Sequence, residues 1–68
     1  MERTYVDSSM IISIGYEDSI LEIEFKSNGQ VWQYFDVPEY VYHEMISSDS
    51  QGKYFHRNIK GQYAEARV

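Results

Sequence analysis

The sequence predicts an α+β fold: a three-stranded antiparallel meander, order 1-2-3, with two C-terminal helices packed on one of its faces. Three observations carry that expectation. Between Met10 and Tyr34 apolar residues alternate with polar ones, the period of a half-buried strand; the dipeptide Asn28-Gly29 separates two of the alternating runs; and beyond Pro38, the single proline, apolar residues recur at helical spacing. With 68 residues, and domains rarely below about 50, residues 1–68 make one domain.

In the first strand Met10, Ile12, Ile14 and Tyr16 share one parity, and Ser13 and Gly15 the other. Leu21, Ile23 and Phe25 alternate with Glu22 and Glu24 in the second, and Trp32 and Tyr34 flank Gln33 in the third. Asn-Gly suits a type I′ turn, whose two central residues both need positive φ. A two-residue loop there sets Phe25 opposite Trp32, Ile23 opposite Tyr34 and Glu24 opposite Gln33, which places every large apolar residue on one side. A loop at Asp18-Ser19 sets Tyr16 opposite Leu21, Ile14 opposite Ile23 and Ile12 opposite Phe25. Moving that loop to Glu17-Asp18 slips the pairing and keeps the face.

Asp36-Val37-Pro38-Glu39 reads as a helix start, with proline near the first helical position and an acid in the first turn, where the helix dipole favours it. Val41, Tyr42, Met45 and Ile46 follow at helical spacing. Ser47-Ser48-Asp49-Ser50 interrupts the pattern, and Ser50 or Asp49 is placed to cap a second helix. Phe55, Ile59 and Tyr63 form the apolar stripe of that helix. Opposite them, Lys53, His56, Arg57 and Lys60 recur at i, i+3, i+4, i+7 and form one basic face.

Composition removes whole classes of function. Cysteine is absent, which excludes disulfide scaffolds, zinc ribbons, iron–sulfur clusters and thiol catalysis, and fits a reducing compartment; the cytoplasm is the expected location. No apolar run approaches the ~20 residues of a membrane span, and no basic-then-apolar signal opens the chain. The net charge of −5 lies in residues 1–36, which hold seven acids and two bases, whereas residues 37–68 hold four of each. A nucleic-acid contact therefore has to use the C-terminal half. The first strand, Met10 to Tyr16, carries neither Pro nor Lys to protect its edge. The N-terminal segment, the C-terminal tail or a second copy of the chain is expected to cover it, with a homodimer slightly favoured.

The order of these features resembles the KTSC domain, a module similar to the C-terminal extension of some lysyl-tRNA synthetases. The resemblance rests on Ile14-Gly15-Tyr16, Leu21 with Phe25, and the Gly29 turn before the central aromatic pair. It continues through Val37-Pro38, Val41-Tyr42, Ser50, Gly52, Tyr54-Phe55 and Ile59. The family's central aromatic-x-aromatic signature usually has tyrosine twice; here Trp32-Gln33-Tyr34 stands in its place, keeping the ring and losing one hydroxyl. The resemblance implies a binding module for which an RNA-binding role has been suggested.

Two surfaces compete as the site. The basic stripe of Lys53, His56, Arg57 and Lys60, with Tyr54 beside it, could meet phosphate and stack a base together. The sheet face away from the helices carries Glu22, Glu24, Gln33 and Phe35 and is the alternative, a protein-partner face; an edge strand could serve the same end. Trp32 and Tyr34 share a face with Leu21, Ile23 and Phe25 and are expected to pack in the core, Tyr34 reaching a polar partner through its hydroxyl. Ser50-Gln51-Gly52-Lys53 is a weak anion-binding pattern, and close packing better explains Gly52. His43 and His56 fall on different helices without metal-site spacing, and no cofactor is implied. No constellation supports catalysis, so a non-enzymatic binding module is the expectation.

Overall fold

A computed structural model describes all of residues 1–68. Its single sheet has five strands, not three: β1 (Arg3–Tyr5), β2 (Ile11–Glu17), β3 (Ile20–Phe25), β4 (Val31–Tyr34) and β5 (Glu65–Arg67). They lie in the order β1-β2-β3-β4-β5, every neighbouring pair antiparallel. The expected meander is the inner part of this sheet. Two helices cover one face, α1 (Glu39–Ser47) and α2 (Gln51–Tyr54), and α2 runs on into a π-helical segment, Phe55–Ile59.

The two extra strands are three residues each, too short to display a period of two. β5 is exposed at every position, so its place is set by backbone pairing to β4 and not by burial. β1 pairs Arg3 with Gly15 and Tyr5 with Ser13. The N-terminal segment, one of the three expected occupants, thus covers this edge of β2.

The first hairpin turns as expected. Asp18 and Ser19 have φ of 52° and 65°, the positive pair of a type I′ turn, with Tyr16 opposite Leu21 and Ile14 opposite Ile23. Further along, Ile11 opposes Phe25 and Ser13 opposes Glu24, which makes Ile12 the extra residue of a β-bulge. The bulge reverses the parity upstream of it. Ile11, not Ile12, is fully buried in the core.

The second hairpin departs from the expected register by two residues. Leu21 faces Tyr34, Ile23 faces Trp32, Glu22 faces Gln33 and Glu24 faces Val31. Residues 26–29 form a four-residue loop closed by Phe25 N–H to Gln30 O and Gly29 N–H to Phe25 O, both 3.0 Å. Only Gly29, at φ 68°, is left-handed; Asn28 instead accepts the Gln30 N–H on its side-chain oxygen at 3.0 Å. A two-residue slip preserves the face of every side chain, so the division of the sheet into an apolar and a polar face survives.

The core lies between the sheet and the helices: Ile11, Ile14, Leu21, Ile23, Tyr34, Val37, Val41, Met45, Phe55 and Ile59. Phe55 meets Phe25 and Tyr34 edge-on at ring-centroid distances of 5.2 and 5.6 Å, the geometry aromatic quadrupoles prefer. Tyr16 stacks on Tyr42 at 5.4 Å and donates its hydroxyl to Val37 O at 2.5 Å, tying the start of α1 to the sheet. Trp32 sits half-buried at the margin of the core, its indole N–H on Gln30 Oε1 at 3.2 Å. Tyr34 is buried, and burial, then the charge and hydrogen bond of Glu65, push its phenol up to about 12.

Candidate functional site

The loop Ser48–Ser50 between the helices and the outer side of α2 with the π-helical segment enclose a cleft of about 260 Å³. Its walls are Ser48, Asp49, Ser50, Lys53, Tyr54, Arg57 and Asn58. Ser50 sets the geometry: its hydroxyl accepts the Lys53 N–H at 3.2 Å and caps α2. Gln51 donates to Ile46 O and Ser48 O, both at 3.3 Å, which fixes the turn between the helices. Gly52 is buried against Met10; a Cβ there would lie 3.3 Å from the Met10 sulfur. Close packing accounts for that glycine.

The π-helical segment divides the expected basic stripe. Lys60 N–H reaches Phe55 O, five residues back, at 2.9 Å, so the α-helical spacing behind the stripe does not hold past Phe55. Lys53 and Arg57 face the cleft. Lys60, extended at ψ 123°, belongs to a second depression with Gly61, Gln62, Tyr63, Ala64 and Glu65. His56 is exposed beside the Phe55 ring and lines neither.

Electrostatically the cleft is open to an anion. The ion pairs of the protein are Arg3–Glu22, Arg3–Glu24 and His43–Glu39, so Lys53 and Arg57 have no carboxylate partner. Asp49 is the one acid in the wall. Tyr54 is held from α1, donating to Glu44 Oε1 at 2.6 Å; burial, together with that hydrogen bond and charge, raises its pKa. Asn58 donates to Tyr54 O at 3.3 Å. Ser48, one of the lining residues, has a buried hydroxyl without a hydrogen-bond partner. Ser48, Asp49 and Asn58 were not legible as site residues, since turn-forming residues between two helices carry no signal beyond the turn itself.

The opposite sheet face is already engaged. Arg3 donates to Glu22 Oε2 at 2.5 Å and to Ser13 Oγ at 2.9 Å, and lies 3.8 Å from Glu24. Ser13 donates to Glu24 Oε1 at 2.9 Å, and Gln33 to Glu22 Oε1 at 2.8 Å. Glu22 is 6% exposed. Burial pushes its carboxyl up, but the Gln33 and Arg3 hydrogen bonds, the Arg3 charge and the N-terminal amine outweigh it and hold the pKa below 4.5. Glu22, Glu24 and Gln33 are thus joined with Arg3 and Ser13 in one hydrogen-bonded network, while Phe35 is half-buried just beyond β4. Arg3 was missed because β1 was.

No cluster of three or more His, Cys, Asp or Glu side chains is arranged to hold a metal ion, and no helix is long and apolar enough to cross a membrane.

Comparison with known proteins places these features in context. The KTSC domain family model matches residues 7–63, the span between the two edge strands. An uncharacterized protein of Stutzerimonas stutzeri (strain A1501) is 38% identical over 65 residues, 93% of this chain and 90% of that protein. Lysine–tRNA ligases of Nostoc sp. and Trichormus variabilis are each 41% identical over 59 residues, which cover 84% of this chain and 10% of each enzyme. The crystal structure of a KTSC domain protein from Yersinia pestis superimposes with a TM-score of 0.93 at 39% identity, covering 98% of this chain and 96% of that one.

Proposed function

The chain belongs to the KTSC domain family, and on that premise we propose that it is a non-catalytic RNA-binding module whose contact is the Lys53–Arg57 cleft. One observation carries the reading: an ammonium and a guanidinium, neither paired with a carboxylate, converge on one concave surface with Ser50 and Asn58. That is the donor set a phosphodiester requires. The lysine–tRNA ligase relatives support it more distantly. They share with this chain a segment amounting to a tenth of their length, so what carries over is a module attached to an enzyme that handles RNA, and not the aminoacylation.

The expected binding is weak and salt-dependent. Two phosphate contacts on a single strand give a log–log salt slope of about −1.4, at roughly −0.7 per contact. Fluorescence anisotropy of a labelled RNA across a salt series, with the wild type and the Lys53→Ala/Arg57→Ala variant, tests this. The variant should lose most of the binding and flatten the slope towards zero. Undiminished binding by the variant, or a wild-type affinity indifferent to salt, refutes the cleft as the contact.

A further inference from the structure

We propose, building on the RNA reading above, that the ligand is single-stranded and that Tyr40 on α1 is the platform on which one of its bases stacks. Tyr40 is 63% exposed, although it is a large aromatic residue on a helix whose opposite side is packed in the core. It lies one turn before Glu44 on the same face of α1. Glu44 in turn holds the hydroxyl of Tyr54, which lines the cleft. The placement runs from the exposed Tyr40 ring one turn along α1 to Glu44, and through the Glu44–Tyr54 hydrogen bond to the wall of the cleft that Lys53 and Arg57 also line.

The arrangement suits one nucleic-acid geometry. An exposed ring one helical turn from the carboxylate that anchors the cleft wall can receive a base only if the base is splayed from its neighbours. In a duplex the bases are stacked internally and only backbone and groove edges reach a convex helix surface. Stacking on an aromatic ring tolerates any base, because each has a π-face; little sequence preference is expected. The Glu44 hydrogen bond fixes Tyr54 as the inner wall, so the phosphate is gripped beyond it by Lys53 and Arg57 while the adjoining base turns out over Tyr40.

The test compares a single-stranded RNA of about 12 nucleotides, within the usual site sizes, with a blunt duplex of the same sequence. Tyr40→Ala should weaken the single strand roughly ten-fold, as loss of one stacked base does. The melting temperature and the weaker duplex affinity should not change. Tyr40→Phe should keep the affinity and Tyr40→Leu should not, which separates a ring from mere apolar surface. If Lys53→Ala/Arg57→Ala weakens binding while Tyr40→Ala does not, or if Tyr40→Ala weakens strand and duplex alike, the stacking inference is overturned and the cleft stands. If the cleft variant binds as the wild type does, the RNA reading itself falls.

Discussion

Arg3 offers the sharpest test of how this fold is held, because one side chain in a three-residue edge strand neutralises a carboxylate at the centre of the sheet. Replacing it with methionine keeps the apolar stem and removes the charge. Losing one partner of a fully buried ion pair costs about 3–5 kcal/mol. Here the Glu22 side chain is 8% exposed but that of Arg3 is 30%, and Gln33 still donates to the other Glu22 oxygen, so the cost should be nearer 2 kcal/mol. In a domain of this size that corresponds to a fall in Tm of roughly 8–16 °C. The pH dependence identifies the cause. Arg3 helps to lower the Glu22 pKa in the folded state, so its contribution is present above the unfolded value of about 4.5 and disappears as pH falls through the folded one. Thermal and urea unfolding should therefore show a full deficit for Arg3→Met at pH 7 and a smaller one at pH 3. The Arg3→Met/Glu22→Gln variant should recover to within about 1 kcal/mol of the wild type at neutral pH, since an uncharged pair needs no cation. A deficit below about 0.5 kcal/mol at pH 7, or one of equal size at both pH values, would refute the assignment of Arg3 as the counter-charge of Glu22.

Three further outcomes follow from particular positions. Ile11→Ala should cost about 2–4 kcal/mol and Ile12→Ala less than about 1.5, because the bulge gives Ile11 the buried site; chemical denaturation that ranks them the other way removes the bulge. At Gly15 a Cβ would lie 2.7 Å from Glu2 O and 2.9 Å from the Arg3 side chain, so Gly15→Ala should destabilise by roughly 1–3 kcal/mol and raise amide exchange in β1, and protection there equal to the wild type would contradict it. With β1 on β2 and β5 on β4, the remaining sheet edges are three residues long and carry Arg3 on one side and Glu65 and Arg67 on the other, devices that discourage edge pairing. Sedimentation should find a monomer across a wide concentration range, and a dimer that tightens with salt would show that one of these edges is used.

What the sequence determined by itself is everything that repeats along the chain. Alternation in Leu21 to Phe25 and helical spacing from Val41 to Ile46 are reinforced at every turn by burial, so the inner meander, the first helix, the start of the second and the apolar face were legible, with Ser50 one of the two caps expected. The tertiary structure decided what rests on single residues or on backbone pairing alone. The bulge at Ile12 moves Ile11 into the core, and no local pattern distinguishes two adjacent isoleucines. The Asn28-Gly29 turn was read as a two-residue loop; the structure closes a four-residue loop there and sets Ile23 opposite Trp32, with the apolar face unchanged. β1 and β5 bury almost nothing, and their few backbone hydrogen bonds are worth forming only once β2 and β4 present a finished edge. The basic stripe was read with α-helical periodicity, and the π-helical turn that seats Phe55 and Ile59 in the core parts Lys60 and His56 from Lys53 and Arg57. The cleft that results takes its walls from a loop and two helical segments, and so exists only after they have packed.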